Sequence, residues 1–205
     1  MSDYDLNLDQ VEEAVAHKAT VDYPRTRISD WLERIVEVFG KYTSFIWVVL
    51  ILLIVGNVIM RYALGTNFVA LEELQWHLYA IGFMCALSYC ITHDGHVRVD
   101  VVAERLSPKA RAWIEMLGIA LFILPFCVLI LIYAWPFVEH SIRIGEVSAA
   151  PGGLPMRWLI KSVILLAFVL MALAATARFF RALAFLSGWP RPLDTPKQNN
   201  NNSPE

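Results

Sequence analysis

The sequence predicts an all-α membrane protein: four transmembrane helices preceded by an amphipathic interfacial helix. Three observations carry this. Of its 205 residues, 57% are hydrophobic, and mean hydropathy is +0.50. That is too apolar for an ordinary soluble domain. Apolar runs long enough to cross about 30 Å of hydrocarbon recur four times. Lys and Arg are spread unevenly over the segments between those runs. The lipid core offers no water to bond backbone groups, so each span must be a helix.

Residues 1–23 are polar and acidic with no sustained apolar period, and are expected as a disordered cytoplasmic tail. A four-helix domain follows over residues 24–186. Past Pro24, Ile28, Trp31, Leu32, Ile35, Val36 and Phe39 recur at helical spacing. Arg27, Asp30, Glu33, Arg34 and Glu37 take the other face. Such a helix lies on a membrane surface or packs on a partner, and its position beside a span favours the surface.

Span one covers about 42–62 and ends at Arg61 and Tyr62. Span two covers about 72–92, opening with Glu72 and Glu73 and closing on His93, Asp94, Gly95, His96, Val97, Arg98, Val99 and Asp100. Span three covers about 113–137, with Pro125 expected to kink it. The stretch Ala150-Pro151-Gly152-Gly153-Leu154-Pro155 breaks the chain before span four, about 156–180. Residues 187–205 are rich in Pro and Asn and are expected as a disordered cytoplasmic tail.

Charge gives the orientation. Lys18, Arg25, Arg27, Arg34 and Lys41 precede span one; Arg98, Arg105, Lys109 and Arg111 join spans two and three; Arg178, Arg181, Arg191 and Lys197 lie at the end. The opposite side carries Arg143, with Arg61, Arg157 and Lys161 at span edges. The positive-inside rule therefore predicts both termini in the cytoplasm.

Glu72 and Glu73 have two readings. They complement a helix N-terminus, worth about 0.3–1 kcal/mol, or they join an outer-face ion cluster with Arg61, Arg157 and Lys161. A catalytic pair is disfavoured, because no nucleophile or base accompanies them. His77 and His140 could ligate a haem between neighbouring helices, but hydrogen bonding within the bundle is the plainer role. His93 and His96 complete no familiar zinc pattern with Asp94 and Asp100, and a loop-ordering network around Gly95 is expected. Cys85, Cys90 and Cys127 sit in apolar runs as small hydrophobes.

No GxxxxGK[ST] is present, so ATP is not bound by a P-loop. We expect no catalytic residue, no metal site, no cofactor and no nucleic-acid partner. Ion-coupled transporters keep ionisable groups near the midplane, and here Asn57 is the main polar exception, read as an interhelical hydrogen bond. These features indicate a small membrane subunit supporting a partner's chemistry. A haem- or quinone-linked anchor and a free-standing small transporter are the alternatives.

Glu72-Glu73 at the start of span two, then GHVRVD at Gly95–Asp100, resemble the small permease subunit of tripartite ATP-independent periplasmic (TRAP) transporters, the DctQ-like family. The resemblance runs from about Ser29 to Phe185. Ala150–Lys161 is similar to the branch associated with mannitol or chloroaromatic compounds. The resemblance implies a large DctM-like permease subunit, a DctP-like periplasmic binding protein, sodium-driven uptake of an organic acid, and membrane lipids as neighbours. It also implies structural or partner-contact roles for Glu72, Glu73, Gly95, His96, Arg98 and Asp100. The extended acidic N-terminus departs from the compact family pattern.

Overall fold

Thr26 starts the first helix by reciprocal capping. Its side chain accepts the Ser29 N–H at 3.2 Å, and Ser29 Oγ accepts the Thr26 N–H at 3.0 Å. From there α1 runs unbroken from Arg27 to Ala63. The computed structural model describes residues 23–92 and 106–189. At 37 residues, α1 is about 55 Å long, well beyond the ~30 Å of a hydrocarbon core. The amphipathic stretch and span one, expected as two elements, are thus one rod.

The buried stripe of α1 is Ser29, Leu32, Glu33, Val36, Gly40, Thr43 and Leu50, at i, i+3 and i+4 steps. Gly40 allows the closest approach, because a Cβ there would collide with the Tyr89 ring. Leu32 and Val36 of the expected apolar face turn inward, whereas Ile28, Trp31 and Phe39 stay exposed.

Three further long helices follow: α2 (Val69–Thr92), α3 (Pro108–Arg143) and α4 (Arg157–Ser187). All four helices are long and apolar enough to cross a membrane, and each overlaps one stretch expected as a span, the fourth helix starting one residue after the expected Met156. Ser107 caps α3 by accepting the Ala110 N–H at 3.3 Å, with Pro108 in the first turn. Gly188 ends α4 in the left-handed region, donating its N–H to Ala184 O at 2.9 Å.

The disturbance expected at Pro125 takes the form of a π turn over Ile119–Ile123. Pro125 has no N–H, and its ring crowds the carbonyl four residues back. Widening the preceding turn, so that the Leu124 N–H reaches Ile119 O, relieves that crowding.

α4 is the hub. α1, α2 and α3 all pack on it, α1 also lies along α2, and α2 and α3 meet only marginally. Ala167, Ala174, Ala175, Ala177, Ala182 and Ala184 are buried on α4, and such small residues let backbones approach closely. Val36, Ile91 and Ala174 form a core cluster with Met171 and Leu173. Large apolar side chains such as Phe45, Leu52, Ile132 and Tyr133 face outward, as lipid-facing surfaces require. The antiparallel order gives the bundle a loop end, with connections 64–68 and 144–156, and a terminal end, with Tyr23 and Trp189.

Candidate functional site

At the loop end, Glu73 clasps the connection between α3 and α4. It projects from the second turn of α2, and its Oε2 accepts the Leu154 N–H at 2.7 Å. Its Oε1 accepts a hydrogen bond from Ser148 Oγ, which in turn accepts the Ala150 N–H at 3.2 Å. The Ser148 N–H reaches Leu154 O at 3.1 Å, and the Arg157 N–H reaches Glu146 O at 3.0 Å, closing the loop on itself. Gly153 is needed here: an added Cβ would lie 2.5 Å from Ser148 Oγ and 2.9 Å from Glu73 Oε1. Met156 takes the left-handed conformation at φ 59°, a strained setting for a residue with a Cβ.

The two adjacent glutamates therefore do different things. Glu72 meets Arg61 at 3.2 Å in the open, with side-chain exposures of 35% and 54%. Lys161 pairs with Glu146 of the loop and lies 4.1 Å from the centroid of the Phe137 ring. Arg157 acts electrostatically on both Glu73 and Glu146. The Lys161 ammonium holds the Glu146 carboxyl below the usual carboxylate range, helped by Ser141 and Arg157 and opposed by partial burial. Of the expected outer-face groups, the structure thus pairs Arg61 with Glu72, gives Lys161 a partner absent from the sequence reading, and sets Arg157 between two carboxylates.

The terminal end carries a second network that sequence reasoning missed. Arg178 pairs with Glu115 through Nε and donates from Nη1 to Ile91 O at 3.1 Å, tying α4 to α3 and α2. Arg181 pairs with Glu33 at 3.1 Å and donates to Tyr23 O at 2.9 Å. Tyr23 OH donates to Glu115 Oε2 at 2.9 Å, and its ring meets Phe185 at 5.5 Å. Tyr23, read from sequence as part of the tail, is buried. The available signal was positional: Glu115 and Arg178 are each about 10–14 Å from the same-end terminus of a long helix, where an unpaired charge would be costly.

Between the two ends, the described middles of the four helices hold no Asp, Glu, Lys or Arg. Asn57 Oδ1 and His77 Nδ1 are enclosed with no hydrogen-bond partner, so the bond expected from Asn57 does not form through that oxygen. His77 is half-buried on α2 and His140 exposed on α3, each packed through its helix on α4. The GHVRVD motif, with Gly95, His96, Arg98 and Asp100, lies outside the described residues, as do His93 and Asp94.

No curated protein and no solved structure matches the chain. The family described as tripartite ATP-independent periplasmic transporters, DctQ component, matches residues 50–185. That range begins inside α1, later than the resemblance expected from Ser29, and takes in Glu72, Glu73, the 144–156 loop and the Glu115–Arg178 pair. With two thirds of its length under that match, and four helices fit to cross a bilayer, the chain belongs to the DctQ component family of TRAP transporters, as a multi-pass small membrane subunit.

Proposed function

We propose that this subunit is the fixed scaffold of its transporter. It holds the large DctM-like permease subunit while that subunit moves solute delivered by a DctP-like periplasmic binding protein. The driving force is a sodium gradient, and the cargo is an organic acid or related small solute. One observation carries the reading: ion pairs and loop bonds join the helices at the two ends of the bundle, Arg61–Glu72, Lys161–Glu146 and Glu73–Leu154 at one and Arg178–Glu115 and Arg181–Glu33 at the other, while the described helix middles between them carry no charge. A moving carrier needs polar ion and substrate sites near the midplane. A bundle stapled at both ends and apolar between suits a rigid support.

In this reading the terminal end is cytoplasmic and the membrane is the bacterial inner membrane, as the Lys and Arg asymmetry favours. The first turns of α1 then stand at that surface, with Ile28, Trp31 and Phe39 turned to lipid headgroups. Glu73, Glu72 and the GHVRVD residues Gly95, His96, Arg98 and Asp100 have structural or partner-contact roles. Reconstituted vesicles test this. Uptake is expected when the large subunit, the binding protein and this chain are all present. Uptake by this chain alone contradicts the reading.

A further inference from the structure

The marginal contact between α2 and α3 leaves a groove on the face of α4. Leu87 and Ile91 of α2, Phe122, Ile123 and Phe126 of α3, and Met171 of α4 line a cavity of about 410 Å³. The π turn supplies part of one wall, since Ile119–Ile123 carries Phe122 and Ile123. Phe126 is held edge-on to Phe168 of α4 at 5.8 Å between centroids, and Phe122 is 73% exposed. The volume falls in the ~300–1,000 Å³ range of ligand sites. Every lining side chain is hydrocarbon, aromatic or thioether, so the buried part of an occupant must be hydrocarbon.

We propose that this groove seats one acyl chain of an anionic phospholipid whose phosphate sits at the start of α3. Three features choose this occupant. The groove touches α2 only between Leu87 and Ile91, about 6 Å along its axis. A partner helix would need a continuous apolar face many turns long, whereas a lipid chain enters from one end. The groove also lies toward the terminal end, because Ile91 is one residue from the end of α2.

The charge there suits an anion. Ser107 caps α3, Lys109 follows, and the first turn holds no acidic residue. Lys109 is exposed. The positive end of the helix dipole adds to this. Lys109 precedes Phe122 and Phe126 by about 20–25 Å along α3, close to one leaflet with its headgroup, about 20 Å. The site follows from the groove and the membrane setting, and stands apart from the scaffold reading.

The test is native mass spectrometry of the full chain released from nanodiscs holding equal phosphatidylglycerol and phosphatidylethanolamine. One retained phospholipid is expected, with phosphatidylglycerol favoured about fivefold per basic contact. Leu87→Trp, which fills the groove, should lower occupancy on the order of tenfold, as displacing two or so methylenes implies. Lys109→Glu, an exposed change that spares the fold, should abolish the headgroup preference; this variant alone decides the matter if Leu87→Trp does not fold. No retained phospholipid, an adduct with the mass of a free fatty acid, equal retention of both lipids, or a preference unchanged in Lys109→Glu overturns the proposal. Loss of the adduct when the large subunit is bound also overturns it, since the groove would then be a protein interface.

Discussion

Arg178 of α4 and Glu115 of α3 form an ion pair in which only 12% and 18% of their side chains remain exposed. The same guanidinium donates to Ile91 O at the end of α2. One arginine thus ties three helices where α2 runs out of backbone partners. Removing one member of an enclosed pair leaves the other charge uncompensated, at a cost of about 3 kcal/mol or more. Glu115→Ala and Arg178→Ala are each expected to destabilise the subunit by that amount in detergent unfolding. The double change Glu115→Ala with Arg178→Ala should cost less than the two single changes added together. Full additivity would show that the pair is not a coupled unit.

Tyr23 extends this network beyond the helices. Tyr23→Phe removes the hydroxyl that donates to Glu115 but keeps the ring against Phe185, and should cost about 1 kcal/mol. Tyr23→Ala removes both contacts and should cost about 3 kcal/mol. Equal stability of the two variants would mean that the ring contact contributes nothing.

Glu72 and Glu73 separate by consequence. Glu73→Ala takes away the acceptor for Leu154 N–H and Ser148 Oγ, and should make the 144–156 loop open to protease and lower the melting temperature. Gly153→Ala, which would press on the same groups, should match it. Glu72→Ala breaks a half-exposed pair with Arg61 and should change stability by less than about 1 kcal/mol. A larger effect from Glu72→Ala than from Glu73→Ala would contradict the assignment.

Much of this was legible in the sequence, and the reasons it stopped are physical. The four spans follow from run length and the loop from Pro and Gly, because both signals are local. That Glu72 and Glu73 matter could be read; that they point to different partners could not. Glu73 binds Ser148 and Leu154, 75 and 81 residues away, and sequence spacing carries no such distance. Arg178 and Arg181 counted as charges flanking a span, which concealed their pairing with Glu115 and Glu33. The amphipathic face of α1 was read as one surface, yet Leu32 and Val36 are buried while Trp31 stays outside.

Glu146 gives a pH dependence. Its carboxyl is held below its ordinary value of 4.5 in the folded protein, first by Lys161. The folded state therefore binds protons less readily than the unfolded one. The stabilisation is present above pH 4.5 and is lost as pH falls through the depressed folded value. Glu146→Gln should melt below the wild type at pH 7, and the gap should close on acidification. A gap that keeps its pH 7 size throughout acidification would show that the charge on Glu146 contributes nothing to stability.

The central claim is that this chain works as a scaffold bound to a larger transport subunit. The most direct measurement is co-purification of the tagged full chain from native membranes in mild detergent. The expected result is a large polytopic membrane protein at one to one, retained by the wild type and weakened by Glu73→Ala. Recovery of the chain alone, folded but with no polytopic partner, would contradict the account.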